Sequence, residues 1–184
     1  DSPFEVKPNV LLPMFVDFKN TWSKPEVRST IVENLVKYVD DDIDWIVGLE
    51  SGGSYYAVAL ANQLGKPVSL LRKEVKEHGD KNFMVGEVPP AGSKVLLVDE
   101  VYATGQSASR AVRRLKEIRS QCRLLTIFSY SSDKEIQDRL GIPGTALTYF
   151  KGLRHAAKER GLLNDDQVAE LTRHVNIYRN TRYE

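Results

Sequence analysis

The chain predicts an α/β domain, a parallel sheet flanked by helices. Two observations carry this. Short apolar runs alternate with segments of helical period along most of the 184 residues. Runs such as VLLV are continuously apolar, as strands covered on both faces are. The length suits one domain, 1–184, with a small flap.

The elements follow in order. Phe4 to Phe18 reads as an extended segment. A helix should begin near Ser23, whose hydroxyl can cap the Lys24-Pro25-Glu26 turn, and Val27, Ile31, Leu35, Val36 and Val39 recur at helical spacing. A strand at Trp45 to Leu49 leads through the turn ESGG into a helix, Ser54 to Leu64, ended by Gly65 and Pro67. Strand Val68 to Arg72 follows. Between Lys73 and Gly92 the pattern fails, because RKEVKEHGDKN is charged at nearly every position, and a mobile loop or partly ordered hairpin is expected. Then come strand Lys94 to Val98, helix Ser107 to Arg119 with Ala108, Ala111, Val112, Leu115 and Ile118 inward, and strand Arg123 to Tyr130. A short helix at Asp133 to Leu140, a strand at Ala146 to Phe150 and C-terminal helical segments complete the order. Such a sheet takes ligands at the C-terminal ends of its strands.

Charge narrows the function. The 26 basic and 25 acidic side chains nearly cancel, so the chain is neither a nucleic-acid-coating protein nor a polybasic membrane anchor, and any attraction for anions is local. The single Cys122, among the apolar residues of CRLLTIF, reads as a buried reduced thiol. No metal-ligand pattern of Cys or His stands out, so no protein metal site is expected. DSPFEVKPNV has neither a basic start nor an apolar signal core, and no apolar run nears the roughly 20 residues of a membrane span. A cytoplasmic protein without membrane or nucleic-acid partners is the expectation.

The chemistry concentrates in VLLVDEVYATGQS. A core strand there delivers Asp99 and Glu100 to the rim of the sheet. Carboxylates are acceptors only, and an adjacent pair suits the neighbouring hydroxyls of a ribose. Ala103, Thr104, Gly105, Gln106 and Ser107 then offer successive amides and two hydroxyls at a helix start, an anion cradle. Together they describe a clamp for ribose 5-phosphate. A strand end followed by an ordinary helix cap is the plain alternative, and the order of strand, acid pair, small-residue loop and helix argues against it.

This stretch resembles the signature by which type I phosphoribosyltransferases hold phosphoribosyl pyrophosphate, with Gln106 where a second Gly is usual. The resemblance implies that family's Rossmann-like fold with a small N-terminal hood. It also implies that the turn Glu50, Ser51, Gly52 and Gly53 binds pyrophosphate, glycine allowing close approach to the anion. RKEVKEHGDKN is similar to the catalytic loop of orotate phosphoribosyltransferases. By that likeness Arg72, Lys73, Lys76 and His78 surround the pyrophosphate, segment 73–92 is a mobile catalytic loop partly supplied by a neighbouring subunit, and a homodimer is implied. EVKPNVLLPMFVDFKN, within a hood and base-site segment 1–22, resembles that family's base site and carries over Lys7 and Phe15 as ring contacts.

Two departures concern the base. Ala103 stands where the family usually has Thr, and no Arg lies between Leu125 and Asp138 where the family has one after a strand-end Asp. The resemblance therefore implies transfer of ribose 5-phosphate to a nucleobase nitrogen with release of pyrophosphate, orotate leading and a purine as the alternative acceptor. Mg2+ is expected to be held mainly through the substrate. A regulator that senses phosphoribosyl pyrophosphate without turnover is a further alternative.

Overall fold

The computed structural model describes residues 4–7, 10–12, 14, 16–73 and 83–180, with the backbone alone at 4–7, 10–12, 19 and 180. Its centre is a six-stranded sheet in the order β5-β4-β3-β6-β7-β8, preceded by a two-stranded antiparallel ribbon, β1 (Phe4–Lys7) and β2 (Val10–Leu12). The strands are β3 (Trp45–Leu49), β4 (Val68–Leu71), β5 (Met84–Val85), β6 (Lys94–Tyr102), β7 (Gln121–Ser129) and β8 (Gly144–Tyr149). All pair in parallel except β5, which returns antiparallel to β4, so the expected hairpin exists at its described ends.

The alternation of side chains along β6 explains the layering. Val95 and Leu97 point into one core with Leu115 of α3 (Gln106–Glu117) and Ile136 of α4 (Asp133–Leu140). Leu96 and Val98 point into the other, with Leu35 of α1 (Pro25–Val36) and Tyr56, Ala57 and Leu60 of α2 (Gly52–Leu64). β6 is thus covered on both faces, as its apolar run requires. A third cluster at the end of β7 gathers Phe128, Tyr130, Phe150, Leu171 and Val175, bringing in α5 (Phe150–Glu159) and α6 (Asp165–Asn180). Met14, Val16 and Phe18 of the N-terminal segment pack on it.

The chain runs from β3 through α2 to β4 on one side, and from β6 through α3 to β7 on the other. β3 and β6 are neighbours, so the direction of winding reverses between them. The crevice above that switch point is where an open α/β sheet binds its ligand.

Several boundaries differ from the sequence reading, each for a local reason. Ser23 closes a 3-10 helix at Lys19–Ser23, and Lys24, without a side-chain bond, is the residue before α1, because Pro25 sets the first helical position. Helix α2 begins at Gly52 rather than Ser54, so both glycines lie in its first turn. Strand β6 continues four residues past Val98, because β7 keeps pairing with it up to Tyr102 opposite Ser129. Arg72 falls just outside β4, and its amide donates to Phe83 O across the hairpin at 2.9 Å. Helix α3 stops at Glu117 because Arg119 turns left-handed at φ 59°. β7 starts two residues before Arg123, β8 starts two before Ala146, and Phe150 opens α5. The 133–140 helix is as expected, held by a capping box between Ser132 and Glu135. Cys122 is only partly buried, and that burial pushes its thiol up from the ordinary value.

Candidate active site

Two adjoining cavities, each about 290 Å³, open at the carboxyl ends of β4, β3 and β6 and share Lys73, Ser107 and Arg110 on their walls. The first is lined by Asp99, Val101, Tyr102 and the segment Ala103 to Ala108. The second holds Glu50, Arg72, Arg113, Arg114 and Glu117.

The cradle is built by Gly105. It precedes α3 with φ 77°, a left-handed conformation that glycine adopts without penalty, and its carbonyl accepts the Ser109 amide at 2.8 Å. A Cβ there would stand 2.5 Å from the Tyr102 hydroxyl and 3.1 Å from Arg139 Cδ, so the loop is seated directly on those two side chains. Arg139 Nη1 also donates to Thr104 O at 2.6 Å. The first amides of α3, at Gln106, Ser107 and Ala108, lie on the cavity wall, and a helix N-terminus favours an anion there. The Tyr102 hydroxyl is sealed beneath the loop, meets no hydrogen-bond partner among the described residues, and is raised above its ordinary pKa mainly by burial, with Arg139 opposing.

The acid pair is split. Asp99 lines the cradle cavity, and its Oδ1 accepts the Glu100 amide at 2.8 Å. Burial pushes its carboxyl up to about 7; the Glu100 charge adds to this and the amide bond works against it. Glu100 turns toward α2, where its carboxyl occupies the space a Cβ on Gly52 would need. Negative charge at that position sits at the N-terminus of a helix, where the dipole favours it. Gly53 is packed more tightly still, since a Cβ on it would overlap Val98 O and stand 2.8 Å from Asp99 Cα. Both glycines are buried, and they seat α2 closely against the acid pair. Ser51 is exposed, and the peptide joining it to Glu50 is cis.

The second cavity sets five cationic side chains, Arg72, Lys73, Arg110, Arg113 and Arg114, against the two carboxylates of Glu50 and Glu117, a field suited to an oligoanion. The Glu50 amide is held by Leu71 O at 3.0 Å, which ties this turn to the end of β4. Arg114 lies over the Phe83 ring, 5.2 Å from its centre.

The structure thus brings together Asp99, Ala103, Thr104, Gly105, Gln106, Ser107, Lys73, Arg72 and Glu50, with Glu100, Gly52 and Gly53 immediately behind them. Lys7 is on β1, but its side chain, like Phe15, Lys76 and His78, lies outside the described residues. The sequence reading missed Arg110 and Tyr178. Arg110 was legible, standing three residues after Ser107 on the same face of a helix. Tyr178 carried no local signal; it reaches the cradle cavity from the far end of α6.

Comparison with known proteins gives this geometry a family. The phosphoribosyl transferase domain family matches residues 25–139. The orotate phosphoribosyltransferase of Fusobacterium nucleatum is 31% identical over 161 residues, 84% of this chain and 76% of that relative. Among solved structures, orotate phosphoribosyltransferase from Aeropyrum pernix shares the fold with a TM-score of 0.73 at 21% identity, over 88% of this chain and 92% of that one. Adenine phosphoribosyltransferase from Saccharomyces cerevisiae, in a complex containing adenine, aligns with a TM-score of 0.65 at 25% identity, over 79% of this chain and 90% of that one. The mostly parallel sheet and these likenesses agree: the chain belongs to the phosphoribosyl transferase domain family and is a phosphoribosyltransferase.

Proposed function

We propose that the chain transfers ribose 5-phosphate from phosphoribosyl pyrophosphate to a ring nitrogen of orotate, releasing pyrophosphate, as a step of pyrimidine nucleotide synthesis. The observation that carries the reading is the pair of adjoining cavities: a cradle with Asp99 and the α3 N-terminus, next to a cationic groove that shares Lys73 with it. In this reading the 5-phosphate takes the amides of Thr104 to Ser107, Asp99 and Glu100 take the ribose hydroxyls, and pyrophosphate lies toward Glu50, Arg72, Lys73 and Arg110.

The ring nitrogen's electron pair forms the bond to C1 as the C1–O bond breaks and its pair leaves on pyrophosphate; the nitrogen's proton passes to pyrophosphate or water. Charge builds on the leaving group, so cations held in place beforehand stabilise the transition state more than the bound donor. Lys73 is one of these, and Lys76 and His78 join it by their likeness to the orotate enzymes. No covalent nucleophile is required, and positioning of the two reactants supplies much of the rest.

Mg2+ enters this reading on the donor's oxygens, where it would offset the charge of the pyrophosphate. The donor set fits, because the cradle offers the carboxylate oxygens of Asp99 and, behind it, Glu100. No group of three His, Cys, Asp or Glu placed to hold a metal stands among the described residues, and Mg2+ commonly binds through one or two carboxylates plus substrate phosphate.

A homodimer and a cytoplasmic location belong to the same reading. They rest on the likeness of segment 72–82 to a loop shared between subunits and on the single free cysteine. No helix among the described residues is long and apolar enough to cross a membrane.

The test follows pyrophosphate release with Mg2+, phosphoribosyl pyrophosphate and a panel of bases. Orotate turned over well ahead of adenine and hypoxanthine supports the reading. Turnover of a purine without orotate moves the acceptor to the second reading, favoured by Ala103 and the 25% identity to an adenine enzyme. Donor binding with no turnover of any base gives a sensor instead.

A further inference from the structure

We propose that Tyr178 forms the acceptor side of the site, its ring packing against the incoming nucleobase; this rests on the transferase reading above. Tyr178 lines the cradle cavity together with Asp99 and Val101, though it lies more than seventy residues further along the chain. Like Val101 and Ala103, it packs against the cluster at the end of β7, and its ring meets Tyr130 edge-on at 6.0 Å and 87°.

Strand order places it. Lys73 follows β4, and Tyr130 follows β7, with β3 and β6 between. At about 4.8 Å per strand spacing, the two flanks stand about 14 Å apart across the crevice, with Asp99 between them. Pyrophosphate on the cationic flank leaves the opposite face of the ribose C1 turned toward Tyr178. An acceptor that displaces pyrophosphate from the rear arrives on that flank.

The ring is also fixed in place. Arg179, the next residue, makes a two-pronged contact with Glu135 at 3.1 and 3.2 Å and donates to Tyr130 O at 3.3 Å. Its own carbonyl accepts Arg139 Nη1 at 3.0 Å, and the same nitrogen holds Thr104 O of the cradle. The last turn of α6 and the phosphate loop are therefore tied to one guanidinium. A tyrosine so held offers a flat apolar surface at little entropic cost, which suits a planar heteroaromatic ring.

The test uses the full chain with Tyr178→Ala and Tyr178→Phe. Acceptor KM, the donor Kd by calorimetry with Mg2+, and the melting temperature are measured for each. The assignment expects acceptor KM to rise about tenfold or more in Tyr178→Ala, the loss typical of one stacking aromatic. It expects the donor Kd to weaken far less than the acceptor KM rises, and Tyr178→Phe to stay closer to wild type than Tyr178→Ala, since the ring does the work. If Tyr178→Ala loses its cooperative melt, Tyr178→Leu, which keeps the packing volume but not the aromatic face, takes its place with the same expected rise. Unchanged acceptor KM overturns the assignment, as does a donor Kd that weakens in step with it. A wild-type chain that binds donor and turns over no base fails the transferase reading and Tyr178 with it. Normal wild-type turnover with an indifferent Tyr178→Ala fails Tyr178 alone.

Discussion

Asp99→Asn isolates the cost of holding a carboxyl in this cleft. Burial pushes this carboxyl up to about 7, from an ordinary value of 3.8. Between those two values the folded state holds a proton that the unfolded state has lost. The folded pKa is the higher one, so stability is greatest at low pH, falls as pH rises through the window, and levels off above about 7. A tenfold difference in proton affinity is about 1.36 kcal/mol, which makes the full penalty about 4 kcal/mol, of which about 2.5 kcal/mol appears between pH 5 and pH 8. The side chain is only partly shielded by surface area, and water reaching it reduces the visible share to about 1 to 2 kcal/mol. Asn keeps an oxygen for the Glu100 amide, which Asp99 Oδ1 accepts at 2.8 Å, and removes only the titration. Urea denaturation of both proteins at pH 5 and pH 8, without ligand, should show the variant gaining on wild type by that amount as pH rises. An equal difference at the two pH values, or a wild type more stable at pH 8 than at pH 5 relative to the variant, refutes the reasoning. With Asp99 on a ribose hydroxyl, as proposed, the same variant should bind phosphoribosyl pyrophosphate at least tenfold more weakly by calorimetry, through loss of a charged acceptor.

Four further variants test the site. Gly53→Ala presses a methyl onto the backbone of Val98 and Asp99 and should cost about 2 to 3 kcal/mol in chemical denaturation, whereas Gly52→Ala only displaces the Glu100 carboxyl. Gly52→Ala should therefore melt near wild type while its donor Kd weakens several-fold. Arg110→Ala, which removes a cation shared by both cavities, should weaken pyrophosphate binding by roughly tenfold at low salt, and the difference should shrink as salt is added. Lys76→Ala should lower turnover by about two orders of magnitude with donor affinity retained, as expected for one stabiliser of a leaving group; single-turnover kinetics with normal rates removes that role.

The sequence by itself determined the layers and located the segment proposed as the clamp. Apolar runs at 45–49, 95–98 and 124–128 read as strands covered on both sides, and the acid pair followed by a small-residue loop points to a sugar phosphate through chemistry local to about nine residues. Those signals survive because hydrogen-bonding type and period are properties of neighbouring residues. Tertiary structure alone decided that Asp99 and Glu100 face different partners, because a strand sends successive side chains to opposite sides and the strand turned out to run on to Tyr102. It alone decided that Gly52 and Gly53 serve close packing of a helix on that strand, and that Arg110 joins two cavities. Tyr178 is the limiting case: its place on the β7 flank follows from how α6 folds back on Tyr130 and is clamped through Arg139 and Arg179. Contacts between residues so distant in the chain depend on the register of the packed elements, and no local pattern of residues encodes that register.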